Sequence, residues 1–356
     1  MLAGVLLVVG VPIAVRAVPP ADSDIDASRL LALVRAGEDR PYGGYVETRG
    51  ALQLPVTDRF TDLGALVGER TRLRVWWRDH TEWRVDKLSV QGETDLVHGA
   101  GVTTQWSYES SEARVSVDPA IRLPRTADLL PPELGRRLLS DVDAGEVSRL
   151  RTRSVAGIAA PGLRLEPAAV QSSIGHVDVW ADPDSGVPLR VEVYADGAVN
   201  PSFTSEFREF EAGLPDCSTT TYEPSPDADL SFDDVLDIAD AANQYAHLIP
   251  PEVVGGLSRS AAADGAVGVY GAGVTQMIAI PLRGREAAPL REQLQLTPGS
   301  RLVEGSTVVP AGALGVLLTG SDDDGGWLVA GTVTEATLVA AAEDLLTRSR
   351  FRGGHS

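Results

Sequence analysis

Five histidines, one cysteine and one run of three aspartates are the side chains of this 356-residue chain best suited to hold a metal or attack a substrate. Metal sites draw their ligands from short, repeated spacings. His80, His98, His176, His247 and His355 show none. Cys217 is alone, so neither an internal disulfide nor a thiolate metal site can form. It falls in an acidic stretch, which does not lower a thiol pKa, and reads as a half-buried small residue. Asp322-Asp323-Asp324-Gly325 has the composition of a calcium loop without its alternate ligand positions or distal Glu. It reads as a solvated hairpin turn. The glycine cluster Gly265–Val274 (GAVGVYGAGV) matches neither the dinucleotide fingerprint nor the phosphate loop with its Lys-Ser/Thr. Glycines in or beside strands mark bulges and turns instead. No Gly-x-Ser-x-Gly elbow occurs. The chain therefore reads as a non-enzyme with no cofactor and no metal. Only a triad assembled by the fold, which spacing cannot reveal, would make it a hydrolase.

Binding is better represented. Arg72–Asp86 (RLRVWWRDHTEWRVD) is a tryptophan-rich hairpin. Leu73, Val75 and Trp77 share one face, as do Trp83 and Val85, while Arg72, Arg74, Arg78, Arg84 and Asp86 lie mostly on the other. Trp106 and Trp180 extend the aromatic set. Such side chains either fill a closed core or line an apolar cavity, the usual form of a hydrophobic ligand site. The pattern leaves both open.

Those residues need a sheet to carry them. His176–Tyr194 (HVDVWADPDSGVPLRVEVY) alternates Val177, Val179 and Ala181 with Asp178, Trp180 and Asp182. It turns at Asp182–Gly186 and alternates again as Leu189, Val191 and Val193 against Arg190, Glu192 and Tyr194. That is an antiparallel hairpin with one dry and one wet face. Similar short strands are predicted at 42–49, 71–77, 81–88, 94–98, 103–109, 114–117, 163–165, 174–181, 188–194 and 203–210. Evenly spaced, they indicate one large antiparallel sheet, curved or barrel-like. Helices are expected to cover it. Asp26–Arg40 is amphipathic, with Asp26 as N-cap, Leu30, Leu33 and Val34 on one face and Gly37 near its end. Within Arg122–Leu139, Pro131 and Pro132 suit a first helical turn and Glu133 its positive end. Leu129, Leu130, Leu134, Leu138 and Leu139 supply the apolar side of this lid.

Asp216–His247 holds eight acidic residues and no Lys or Arg, so a domain boundary is placed there, with a short helix within Phe232–Tyr245. Beyond it, hairpin strands at 265–282, a helix at 286–296, strands at 306–318 and 327–331 and a closing helix at 332–346 make a small α+β domain. The net charge of -19 argues against nucleic acid and against an anionic lipid surface. Lys87 is the only lysine, a usage that reads as the codon bias of a GC-rich genome. The apolar run Met1–Val15 is short for a membrane span and fits the core of a secretory signal, or an uncleaved anchor. Export is expected.

Four stretches in order carry a resemblance: the first helix leading into YGGYVETRG at 42–50, the RVWW…EWRVD pair, DLLPPEL at 128–134, and VWADPDSGVPLRVEV at 179–193. Together they resemble the extracytoplasmic LolA-like lipoprotein-carrier superfamily and, more closely, the sigma-E regulatory proteins of the MucB/RseB type. VYGAGVTQMIAIPL at 269–282 and WLVAGTVTEATLVAAAEDL at 327–345 resemble the small C-terminal domain that such regulators carry. The resemblance implies an α+β fold: a half-open curved antiparallel sheet with covering helices, plus a small C-terminal α+β domain. It divides the chain into a signal or anchor at 1–21, a LolA-like domain at 26–213, an acidic linker at 214–249 and a regulator-type domain at 250–348. It also implies lipid or lipoprotein acyl chains as ligand and a membrane-bound anti-sigma factor as partner. The expected cavity is lined by Leu73, Val75, Trp77, Trp83, Val85, Trp106, Val177, Val179, Leu189 and Val191, under a lid of Leu129, Leu130, Leu134 and Leu138. The alternative is a LolA-like carrier or accessory factor of an export ABC transporter. Either protein works outside the cytoplasm, secreted or anchored to the outer face of the membrane.

Overall fold

The computed structural model describes residues 20–50, 68, 70–90, 92–119, 121–223, 228–232, 237–246, 248–260, 265–320 and 325–351. The apolar N-terminal run, the Asp322–Asp324 turn, His247 and His355 lie outside the described residues. Twelve strands form one sheet: β1 (Tyr42–Gly50), β2 (Arg70–Asp79), β3 (Glu82–Leu88), β4 (Glu93–Gly99), β5 (Val102–Ser107), β6 (Glu112–Ser116), β7 (Val147–Val155), β8 (Ile158–Leu165), β9 (Ile174–Ala181), β10 (Pro188–Ala195), β11 (Phe203–Ala212) and β12 (Asp229–Phe232). Their order is β12-β6-β5-β4-β3-β2-β1-β11-β10-β9-β8-β7, so the sheet is open, with β12 and β7 at its edges. All pairings are antiparallel except that of β12 on β6.

The expected hairpin is β9–β10, with Val177 opposite Val193 and Val179 opposite Val191. Its turn is closed by Asp182, whose carboxylate accepts from the Ser185 amide at 2.9 Å. Gly186 there has φ of +77° and lies so close to the first helix that a Cβ would stand 2.2 Å from the Leu33 carbonyl oxygen. Only glycine fits this contact. That helix, α1 (Ala27–Ala36), starts at Asp26, whose side chain accepts from the Arg29 amide at 2.7 Å. It buries Leu30, Leu31 and Val34 against β7 and β8.

The lid helix α2 (Pro131–Leu139) follows a single 3-10 turn, Thr126–Leu129. Pro131 and Pro132 occupy its first turn as the sequence suggests, where their missing amide hydrogens cost nothing. Gly135 lets it approach β10: a Cβ would meet Pro188 and Val191 at 3.0–3.3 Å.

A second, six-stranded antiparallel sheet uses Gly268–Ala272, Thr275–Leu282, Arg301–Val303, Ser306–Ala311, Leu314–Leu318 and Gly326–Gly331. Helix Glu335–Arg348 packs Leu338, Ala341, Ala342 and Leu345 against Met277, Ala279 and Val329 on one face. Helices Gly284–Leu296 and Ile238–Tyr245 serve the other, on Leu318, Leu328, Ile278 and Ile280. The glycine cluster is a hairpin, Gly271 and Gly273 flanking its turn at φ +88° and +55°. Two of the second sheet's turns reach the first: Val274 and Ala313 join the cluster beneath α1 and α2. Ser173 Oγ donates to the Ala313 carbonyl at 2.5 Å, and the Thr334 amide to Gln171 O at 2.8 Å.

Candidate ligand-binding interior

Alternation along the twelve strands sorts side chains onto two faces. The face under α1 and α2 carries the expected residues, all but one. Leu73, Val75 and Val85 are fully buried, as are Val177, Val179, Leu189 and Val191, while Trp77 and Trp83 are nearly so. They form two adjoining groups. Leu73, Val75, Trp77, Trp83, Val85 and Leu189 pack with Leu130, Tyr42, Val46 and Phe207. Val177, Val179 and Val191 pack with Leu129, Leu139 and the apolar side of α1, and Leu134 and Leu138 join them half-buried.

The aromatic group fills its own space. Tyr42 stacks on Trp77 with ring centres 5.8 Å apart, Trp77 on Trp83 at 5.5 Å, and Trp83 on His98 at 5.3 Å. Of the two readings the sequence allowed, core filling describes this half. In the lid half, Leu134 and Leu138 are only half-buried.

Trp106 does not belong to this set. It stands opposite Asp95, which stands opposite Asp86, so all three point to the other face. There Trp106 packs against Tyr108 at 5.7 Å and Tyr222 at 6.0 Å. A one-residue change of register flips every side chain of a strand, and hydrophobicity alone did not set the register of β5. Trp180, register-opposite Arg190 and under the Arg153 guanidinium at 5.2 Å, does extend the set, packing in the same buried cluster as Trp77 and Trp83. Cys217, expected to be half-buried, is exposed.

Polar atoms pin the lid. Ser205 Oγ donates to the Leu129 carbonyl at 2.6 Å from the buried face of β11. Arg35 of α1 caps the far end, donating to the Leu139 carbonyl at 2.9 and 3.2 Å and to Val142 O at 2.6 Å. These bonds satisfy carbonyls that a helix terminus leaves open. Arg136 pairs with Glu38, in the turn just past α1, at 2.8 Å. Tyr42 Oη and Thr48 Oγ1 are among the buried hydroxyls without a partner among the described residues. Thr48 is register-opposite Ser205, so an unpaired donor lies beside the point that holds the lid.

The three described histidines stand apart. His98 sits in the aromatic stack and contacts Thr103 Oγ1 at 2.9 Å, and burial lowers its pKa. His176 stacks on Tyr194 at 4.1 Å, and His80 lies exposed, 3.6 Å from Asp39. Asp86, Glu93 and Asp95 bring carboxylate oxygens within 4.8 Å of one another on the outer face. Arg84 already supplies the cation, bonding Asp86 and Asp95 at 2.7 Å each. Burial first, then the Asp86 charge, pushes the Asp95 carboxyl up to about 7.

This two-sheet arrangement has been seen before. A crystal structure of MucB in complex with MucA(peri) superposes with a TM-score of 0.51 at 16% identity, covering 92% of this chain and 100% of that one. The Pseudomonas aeruginosa MucA/MucB complex gives 0.52 at 17% identity, covering 92% and 99%. The fold is that of MucB. A LolA superfamily protein from Nitrosomonas europaea covers 56% of this chain and 98% of its own at 12% identity, with a TM-score of 0.26, too loose to argue from. No family model matches the sequence, nor does any curated protein. A match over 92% of the chain must take in both sheets, including the second one. Among the described residues, no helix is long and apolar enough to cross a membrane.

Proposed function

We propose that the chain is a non-enzymatic, exported binding protein of the MucB type. Its first sheet and lid take an acyl chain of a lipid or lipoprotein, and its second sheet helps to contact a membrane-bound anti-sigma factor. The observation that carries this reading is the MucB fold over nearly the whole chain; the MucB of those structures is held in complex with MucA. The chain's own residues support the ligand half. An acyl chain enters where α2 is least committed, at Leu134 and Leu138, and continues over Val177, Val179 and Val191 toward Leu189 and Trp77. Displacing the 3-10 turn that leads into α2 frees Ser205 beside the unpaired Thr48 hydroxyl, and these two can take the ligand's ester or carboxyl end. Val274 and Ala313 touch the same cluster, so movement of the lid is felt by the second sheet.

Each apolar side chain fully buried contributes roughly 1.5–3 kcal/mol, and about 1.4 kcal/mol is tenfold in affinity. Leu134→Asp, a change at a half-buried lid position, should therefore weaken equilibrium binding of a fluorescent fatty acid about tenfold or more, with the circular dichroism spectrum unchanged. Binding equal to that of the unaltered protein would remove the lid from the site. The partner half is tested by titrating the soluble extracytoplasmic segments of the host's anti-sigma factors. Saturable binding to one of them is expected, and binding to none would leave a ligand carrier only.

A further inference from the structure

On the face of the first sheet away from the lid, β1, β10 and β11 converge with β7 around a cleft of about 480 Å³. Its wall is mostly ionic: Arg49, Arg153, Arg190 and Arg208 with Glu47 and Glu206. The carboxylates are already spoken for. Glu47 is bonded by Arg49, by Arg70 and, at 3.0 Å, by Arg208. Glu206 is bonded by Arg190 and, at 3.1 Å, by Arg208. Glu192 beside them takes Arg190 and, at 3.5 Å, Arg153. Five arginines thus face three carboxylates, leaving two positive charges uncancelled at one spot of a chain whose net charge is -19.

The donors are also placed for a ligand. Arg190 is held at the base, its side chain only 12% exposed. Arg153 makes one long contact among the described residues, and its guanidinium is oriented over the Trp180 ring. A guanidinium carries five N–H donors, so Arg49 and Arg153 keep unspent forks at the rim. Thr204 adds a hydroxyl. Planar forks suit oxyanions, which they bind two-pronged, and the volume lies within the range of small-molecule sites.

We propose that this cleft binds a doubly charged oxyanion of the phosphate monoester class, matching the two surplus positive charges. The site shares no residue with the acyl interior, so either reading can fail without the other. A free phosphate ester or a monoester headgroup on a lipid would present the same chemistry.

Calorimetry on the full chain with glycerol 3-phosphate, and flotation with phosphatidylcholine vesicles with and without phosphatidic acid, test it. Saturable binding is expected, weakened at least tenfold in an Arg49→Gln/Arg153→Gln double variant and unchanged in Arg348→Gln, which lies on the closing helix. Both rim arginines have side chains over 40% exposed, so the double variant should keep its melting temperature. Glycerol 3-phosphate binding without flotation assigns the cleft to free esters, and flotation that glycerol 3-phosphate competes away assigns it to headgroups. Absence of both, or binding undiminished in the double variant, overturns the proposal.

Discussion

The two faces of the first sheet are built from alternate residues of the same strands, yet they solve opposite problems. Under the lid, Val46, Leu73, Val75, Val177, Val179 and Phe207 exclude water almost completely, and their stabilisation is non-directional. Across the sheet, Glu47, Asp86, Asp95, Asp178, Glu192 and Glu206 are just as hidden, but each is ionic and each needs a named arginine. Arg164, for example, grips Asp178 at 2.7 and 2.8 Å. The contrast shows where the molecule can change. An apolar face tolerates rearrangement under a lid, because Leu and Val have no fixed partner. A ladder of ion pairs does not, since removing one of its buried carboxylates strands the arginines that share it.

The comparison breaks first on the dry side. Phe207→Ala removes a fully buried ring that packs edge-on against Tyr42 at 5.7 Å. It should cost about 3–5 kcal/mol, read as a fall in the urea midpoint with unchanged slope. A loss below about 1 kcal/mol would mean that the interior is not packed as described.

On the ionic side, Glu47→Gln should cost less, on the order of 1–3 kcal/mol, because its arginines are partly in water. Bonds from Arg70, Arg208 and Arg49 outweigh burial and hold the Glu47 carboxyl down to about 2. A carboxyl depressed by folding stabilises fully above its ordinary value of 4.5 and loses that contribution as pH falls toward 2. Acid melts should show this loss in the unaltered protein and less of it in the variant.

Asp95 sharpens the contrast from the opposite sign. Its carboxyl is raised from 3.8 to about 7, so the fold prefers the protonated form. Stability from this group is complete below about 4 and is lost as pH rises through about 7. Asp95→Asn should flatten that part of the profile and raise the melting temperature at pH 8 with little change at pH 4. A variant that melts with the same pH slope would place the titration elsewhere.

Much of the dry face was legible from residues. Val177, Val179, Val191 and Val193 alternate so cleanly that β9 and β10 and their inward side follow directly, and Pro131-Pro132 marks the start of the lid. The wet face was not. Strand β7 (VSRLRTRSV) went unseen because, at the sheet edge, it has no continuous apolar side to show. Strand β12 is four residues in an acidic stretch, itself at the sheet edge and paired only with β6. Trp106 lies on the face opposite to the expected one because side is a property of register, which is set by the partner strands. The arginine cleft joins Arg49, Arg153, Arg190 and Arg208 across more than 150 positions, a distance at which no local pattern exists.

The claim that the dry face admits an acyl chain is tested most directly by tryptophan fluorescence with a fatty acid brominated at mid-chain, since bromine quenches only rings it nearly touches. Saturable quenching is predicted, reduced in Trp77→Phe and kept in Trp106→Phe, whose ring lies across the sheet. No quenching, or quenching that depends on Trp106 and not on Trp77, would contradict the account.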